Sequence, residues 1–333
     1  MSNKKILVLT EQFNNQSTLF DPLRNAGYEV VVNESGRLPS EAQLKAMLTE
    51  DVVATIAGGE PYTPEVIAAS SLKIIARWGV GYDQVNVQAA TSAGIPVAMA
   101  FGENHESVAE YAHAMALSLA CRIGQRDEMV KEGEWYFDGF HPGLWGRTAG
   151  LIGLGRIGGA MARRLVGQGM TVLVADPQLS QEAAEAAGVK LVDLDILLEQ
   201  SDLVSVHAPS TPSTRHMMND ETFAKMKPGA IIVNTSRGPL IDQAALLRAL
   251  KSGHLGGAGL DVFEVEPLPE ADELRQLSNV ILSPHVSGMD RMAEKLVTNR
   301  CISNILAWLH GNPSDLVPYV VNPETLPLKE ITK

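Results

Sequence analysis

The chain has 333 residues, 45% of them hydrophobic and 20% charged, the make-up of a folded globular protein with room for two ordinary domains. A net charge of −12 argues against a nucleic-acid partner, which needs a basic face. No run of about 18 apolar residues occurs, so no membrane-spanning helix is expected.

Lys4 and Lys5 are followed only by Ile6–Leu9, too short an apolar run for a secretory signal. Cys121 and Cys301 sit in apolar, helix-like stretches without metal-ligand spacing. They read as small buried hydrophobes, no metal site is expected, and the default location is a reducing cytoplasm.

From the start, short β-branched runs alternate with helical patterns. Strands are predicted at Ile6–Leu9, Tyr28–Val32, Val52–Ile56, Leu72–Ala76 and Ile95–Ala98. Helices are predicted between them, around 17–26, 40–49, 64–70 and 87–93. This alternation implies a parallel sheet covered on both faces. One long helix is then predicted from about Glu106 to Glu132. An aromatic cluster follows it: Trp135, Tyr136, Phe137, Phe140 and Trp145. So many rings are costly to leave in water, so the segment is either core or interface. A second alternating series gives six strands, at Ala149–Ile152, Thr171–Ala175, Leu203–Val206, Ala230–Val233, Ala258–Leu260 and Val280–Leu282. Six is the number in a full dinucleotide-binding sheet. The last helical segment, about 291–310, has no strand after it and is read as crossing back to the first domain.

The strongest local motif is Gly153-Leu154-Gly155-Arg156-Ile157-Gly158, which follows a strand and opens a helix. Gly153 makes the tight turn, Gly155 lets the backbone approach a pyrophosphate, and Gly158 lets the helix pack against the strand. The helix N-terminus offers free N–H groups to the anion. The next strand ends at Asp176, placed to accept from ribose hydroxyls and to repel the 2′-phosphate of NADP, so the cofactor read here is NAD.

Four later strands each stop at polar residues: His207 and Pro209; Asn234, Thr235, Ser236 and Arg237; Asp261; then Ser283, Pro284 and His285. In a parallel sheet these ends share one edge, where ligands bind. Hydride transfer to a carbonyl needs a guanidinium fork for carboxylate and carbonyl, a histidine for the proton, and a carboxylate to orient that histidine. Arg237, His285 and Glu266 supply the three, with His285 expected within hydrogen-bond reach of Glu266.

In combination, Asn234-Thr235-Ser236-Arg237-Gly238, Leu260-Asp261-Val262-Phe263-Glu264-Val265-Glu266-Pro267 and Ser283-Pro284-His285-Val286-Ser287-Gly288 resemble the signatures of the D-isomer-specific 2-hydroxyacid dehydrogenases. The resemblance runs nearly end to end, through Arg77-Trp78-Gly79-Val80-Gly81-Tyr82-Asp83 and Val320-Val321-Asn322-Pro323-Glu324. The nearest branch is the phosphoglycerate dehydrogenase-like proteins without a regulatory domain.

The resemblance implies an NAD-dependent oxidoreductase moving a hydride between nicotinamide and a small 2-hydroxy or 2-keto acid. It implies two doubly wound α/β domains with a cleft between them. A flavodoxin-like substrate domain (residues 1–100 and 289–333) joins a Rossmann NAD domain (101–288). Arg237 would bind the carboxylate and polarise the carbonyl, His285 would be the acid in reduction, and Glu266 would raise the histidine pKa. Asp261 would bind the nicotinamide amide, and Arg156, Ile157, His207, Pro209, Thr214, Thr235, Ser236, Arg237, His285 and Gly288 would join the cofactor contacts. Arg77, Gly79, Val80 and Gly81 would meet the substrate, the last two through backbone N–H groups.

Two positions depart from the pattern: Gln84-Val85-Asn86 after the first glycine loop, and Gly58-Gly59-Glu60 where phosphoglycerate-type members tend to carry basic residues. Phosphoglycerate, hydroxypyruvate and glyoxylate all stay open as substrates. A formate dehydrogenase would place glutamine at Glu266. An NAD(H)-sensing corepressor-like binding protein is the alternative from another class, separated from an enzyme by the absence of turnover. The aromatic segment is read as the interface of a homodimer through the cofactor domain, with a tetramer as the further option.

Overall fold

The computed structural model describes residues 4–10, 12–136 and 139–327. They divide into two compact units, one formed by the described residues of Met1–Asn104 and Asp290–Lys333, the other by His105–Met289.

The first unit is built on β1 (Lys5–Val8), α1 (Asp21–Asn25), β2 (Glu29–Val32), α2 (Glu41–Met47), β3 (Val52–Ala57), α3 (Pro64–Ala68), β4 (Ile74–Arg77), α4 (Val87–Ser92) and β5 (Val97–Met99). Its strands are parallel in the order β2-β1-β3-β4-β5, the flavodoxin-like arrangement. Every residue of β3 is buried, as a central parallel strand covered on both faces requires. Helix starts are written in the sequence: Ser40 and Gln43 form a capping box on α2, and Thr63 caps α3 just before Pro64.

The second unit contains α5 (His105–Cys121), α6 (Ile123–Lys131), β6 (Thr148–Ile152), α7 (Arg156–Gly167), β7 (Thr171–Ala175), α8 (Gln181–Ala186), β8 (Lys190–Leu191) and α9 (Leu194–Gln200). It continues with β9 (Leu203–Val206), α10 (Asp220–Lys225), β10 (Ile231–Asn234), α11 (Gln243–Lys251), β11 (Gly257–Leu260) and β12 (Val280–Leu282). The sheet order is β12-β11-β10-β9-β6-β7-β8, so the winding reverses between β6 and β9. That reversal opens the crevice where a dinucleotide binds.

Two expectations need correction. The sheet has seven strands rather than six, because the two-residue β8 is too short to show alternation. The long helix predicted over 106–132 is two helices. Arg122 takes φ +55° between them, and its left-handed turn ends the ladder of α5. The aromatic segment is not core within the chain: Trp135, Tyr136, Phe140 and Trp145 are 72%, 92%, 99% and 85% exposed. Phe137 lies outside the described residues.

The final helix, α12 (Arg291–Leu309), packs on the first sheet. Its Ala293, Val297, Cys301, Ile302 and Ile305 share one core with Ile6, Val8, Ile56, Ile74 and Ala76. Trp78 Nε1 donates to Thr298 Oγ1 at 2.9 Å inside that core. Beyond α12 the chain runs antiparallel to β5, Met99 donating to the Tyr319 carbonyl and Val321 to that of Val97. The edge of the sheet is thereby covered. Among the described residues no helix is long and apolar enough to cross a membrane.

Candidate active site

The carboxyl ends of β6, β7, β9, β10, β11 and β12 collect the residues singled out by sequence. After β6, Gly153 has φ +96°, and a Cβ there would lie 2.9 Å from the His207 carbonyl oxygen. At Gly158 a Cβ would fall 2.2 Å from the Gly153 carbonyl oxygen, whereas at Gly155 it would meet nothing within 4 Å. The first and third glycines are thus demanded by the protein's own backbone, and the second leaves open space at the start of α7. The first N–H groups of that helix have no intrahelical acceptor and face the same space.

Asp176, after β7, accepts from Leu154 N and Gln178 N, each at 2.9 Å. The carboxylate is therefore fixed against the glycine loop. A 2′-phosphate beside it would be repelled, so catalytic efficiency with NAD is expected to exceed that with NADP. Asp176→Ser should narrow the ratio about tenfold or more. Equal efficiencies in the parent protein, measured by initial rates with each cofactor, would refute the assignment.

Two buried polar atoms on this edge have no hydrogen-bond partner among the described residues, Nδ1 of His207 and Oγ1 of Thr235. Burial lowers the His207 pKa to about 4, so the ring is neutral at neutral pH. Its Nε2 pairs with Ser205 Oγ at 2.9 Å. Orphaned polar atoms, the open Gly155 corner and a helix N-terminus together fit a dinucleotide with a pyrophosphate. Thr214 Oγ1 donates to the Pro209 carbonyl at 2.7 Å and accepts from Thr211 N at 2.8 Å, which ties the loop after β9.

After β10, Asn234 organises the turn that carries Arg237. Its Oδ1 accepts from Ser236 N and Oγ at 3.0 and 2.7 Å, and its Nδ2 donates to the Arg237 carbonyl at 2.9 Å. After β11, Glu266 Oε1 accepts from Phe263 N at 3.0 Å, and Glu266 Oε2 pairs with His285 Nδ1 at 2.8 Å. Partial burial pushes the Glu266 carboxyl up, but the hydrogen bond and charge of His285, with the Phe263 N–H and Arg237 guanidinium, outweigh it and hold the group below the usual glutamate range. Arg237 is thus near enough to act through its charge on the carboxylate that pairs with His285. The His285 side chain is 49% exposed, which leaves its other ring nitrogen open to a reactant.

His285 has φ +56°, an uncommon backbone conformation for a side-chain-bearing residue. The fully buried Asp261 holds it there. The Asp261 carbonyl accepts from His285 N at 2.9 Å, and its carboxylate accepts from Ser283 Oγ, Val286 N and Ser287 N at 2.5, 2.9 and 2.9 Å. The resemblance implied a nicotinamide contact for Asp261. In the structure both carboxylate oxygens brace the turn from Ser283 to Ser287, a role that only the fold reveals.

The residues expected to meet substrate in the first unit lie at the end of β4 and just after it. Arg77 Nη1 donates to the carbonyls of Ala57 and Trp78 at 3.2 and 2.5 Å, so the guanidinium braces the glycine loop Gly79–Gly81. Glu60, fully buried, accepts from Gly58 N at 2.9 Å, and burial pushes its carboxyl up against the opposing pull of Arg77.

A sheet with this winding, a glycine-rich turn fitted to a pyrophosphate and an Arg–Glu–His cluster on the same edge define a dinucleotide-dependent oxidoreductase. The family model for the D-isomer specific 2-hydroxyacid dehydrogenase NAD binding domain matches residues 113–287. A glyoxylate reductase of Korarchaeum cryptofilum is 40% identical over 277 residues, 81% of this chain and 82% of that protein. A D-3-phosphoglycerate dehydrogenase of Archaeoglobus fulgidus is 45% identical over 253 residues, 75% of this chain but 48% of the relative. The crystal structure of D-lactate dehydrogenase from Aquifex aeolicus, complexed with NAD and lactic acid, superposes with a TM-score of 0.82 at 27% identity, covering 96% of this chain and 99% of that one. The chain belongs to the D-isomer specific 2-hydroxyacid dehydrogenases, and its cofactor is NAD.

Proposed function

We propose that the chain reduces a short, unphosphorylated 2-keto acid of the glyoxylate or hydroxypyruvate kind to the corresponding 2-hydroxy acid, the D-isomer where the product has a stereocentre. The observation that carries this reading is the 2.8 Å contact of His285 with Glu266 beside Arg237. NADH, when bound, supplies the hydride to the carbonyl carbon. The Arg237 guanidinium pairs with the substrate carboxylate and draws electron density onto the carbonyl oxygen. The protonated His285 ring gives its proton to that oxygen as it becomes a hydroxyl, and Glu266 keeps the ring oriented through Nδ1. In oxidation the neutral ring takes the proton back.

A terminal phosphate finds little support. Glu60 brings a carboxyl to the carboxyl end of β3, and Arg77 is engaged with backbone carbonyls. Initial rates of NADH consumption with glyoxylate, hydroxypyruvate, pyruvate and 3-phosphohydroxypyruvate test the reading. Preference for the phosphorylated acid would overturn the substrate class, and turnover of none of them the reaction.

The working form is proposed to be a homodimer in the cytoplasm. Trp135, Tyr136, Phe140 and Trp145 stand exposed in the second unit near Ile123 and Val130 in sequence, an apolar surface that a second copy would cover. Both cysteines are free thiols, as a reducing compartment keeps them. Light scattering is expected to give twice the chain mass at micromolar concentration, and Trp135→Glu with Phe140→Glu should shift it to monomer. A monomeric parent would refute the dimer.

A further inference from the structure

Outside the triad, a second acid–histidine contact joins the loops that carry it. Glu264 lies two residues before Glu266, and its Oε1 is 2.5 Å from His216 Nε2. Its Oε2 accepts from Gln243 N at 3.2 Å at the start of α11, and Glu264 N donates to Gln243 Oε1 at 3.4 Å. Arg215 Nη2, at 3.9 Å from Oε1, is the neighbouring cation. On the other side, His216 N donates to the Pro239 carbonyl at 2.8 Å and Met218 N to that of Leu240 at 3.0 Å. His216 therefore grips the turn just after Arg237 and, through its ring, the loop just before Glu266. It does so with φ +51°, an unfavourable backbone conformation held by local contacts. The two loops also touch directly: a Cβ on Gly238 would lie 1.9 Å from the Phe263 carbonyl carbon.

We infer that His216 and Glu264 are a positioning pair that sets the distance between Arg237 and the Glu266–His285 couple. The inference rests on the triad roles proposed above. The pair touches no reacting atom. It fixes the base of the Glu266 loop, so its loss lets the carboxylate drift from the His285 ring while the Asn234-built Arg237 turn survives. A displacement on the 1 Å scale at a proton-transfer pair costs up to about 10²-fold in rate.

The test is a double-mutant cycle on the full-length protein with His216→Ala, Glu264→Ala and the double variant, with Glu266→Gln alongside. Measured for each are kcat, KM for the keto acid, the pH profile of turnover, the NADH dissociation constant and Tm. Each single variant is expected to lose about 10- to 100-fold in kcat, with KM and NADH affinity within about threefold. The double variant should lose no more than the worse single one, because the two side chains act as one unit. Its pH profile should move in the direction of that of Glu266→Gln, and Glu264→Gln, whose amide oxygen can accept from Gln243 N and whose NH2 can donate to the neutral Nε2 tautomer of His216, should recover most of the rate. Additive losses, an unmoved profile, or losses that track Tm or NADH affinity would overturn the inference. If Glu266→Gln moves the profile and the pair's variants do not, positioning alone fails. If Glu266→Gln leaves it in place, the role of Glu266 fails and the inference with it.

Discussion

Replacing His285 with alanine is expected to lower kcat for keto-acid reduction by about 10²–10⁴-fold, the range for removal of a general acid. NADH affinity should change far less than kcat, because the ring's partner within the protein is Glu266. Glu266→Gln should cost less, since the amide keeps the shape and an acceptor for Nδ1–H. Its signature is in the pH dependence. The contact helps hold the Glu266 carboxyl below its usual range, so a carboxylate rather than a neutral acid faces the ring. Reduction consumes the ring's proton. With the charge gone, reductive activity should be lost at a lower pH than in the parent, while the oxidative direction, which needs the neutral ring, should persist to lower pH. Superimposable profiles of kcat/KM for parent and Glu266→Gln would show that the carboxylate does not tune this histidine.

The second large effect is expected at the glycine turn, where two neighbouring substitutions should part company. Gly158→Ala puts a methyl 2.2 Å from the Gly153 carbonyl oxygen, a backbone atom that cannot rotate away. Helix α7 must shift from β6, and overpacking of this kind costs about 1–3 kcal/mol. Both Tm and NADH affinity should fall, the latter about 10- to 100-fold. Gly155→Ala meets no protein atom within 4 Å, so Tm should hold while NADH affinity still drops, because the methyl occupies space the pyrophosphate needs. Thermal denaturation and NADH fluorescence titration of the two variants decide the matter. Equal behaviour of the pair would mean that the glycines do not have separate tasks.

Much of this was legible in the sequence because a parallel sheet prints its function at strand ends. Leu203–Val206 stops at His207, Ile231–Asn234 leads to Arg237, and Val280–Leu282 stops three residues before His285. The periodicity located the strands, and the polar stops picked out the candidate residues that the fold gathers on one edge. What was not legible depended on contacts between segments distant in the chain. Nothing in the run Glu264-Val265-Glu266 says that its first carboxylate reaches His216, 48 positions away, while its second reaches His285. That the Asp261 carboxylate also braces a strained turn shows only in the buried donors around it. The break at Arg122 also escaped, because an arginine in left-handed conformation leaves no compositional mark. Lys190–Leu191 is a strand by its neighbours rather than by its residues.

The return of α12 to the first sheet has a consequence for the order of events during synthesis. Ile6, Val8, Ile56 and Ile74 cannot be covered until Val297, Cys301 and Ile305 have been made. The Trp78–Thr298 bond spans 220 residues, which at about 5–20 residues per second leaves that face uncovered for roughly 10–40 s. The second unit is one continuous stretch with its own two cores and needs nothing made after it. It is therefore the part able to fold first on the ribosome, while the earlier-made strands of the first unit wait, exposed, for their last helix.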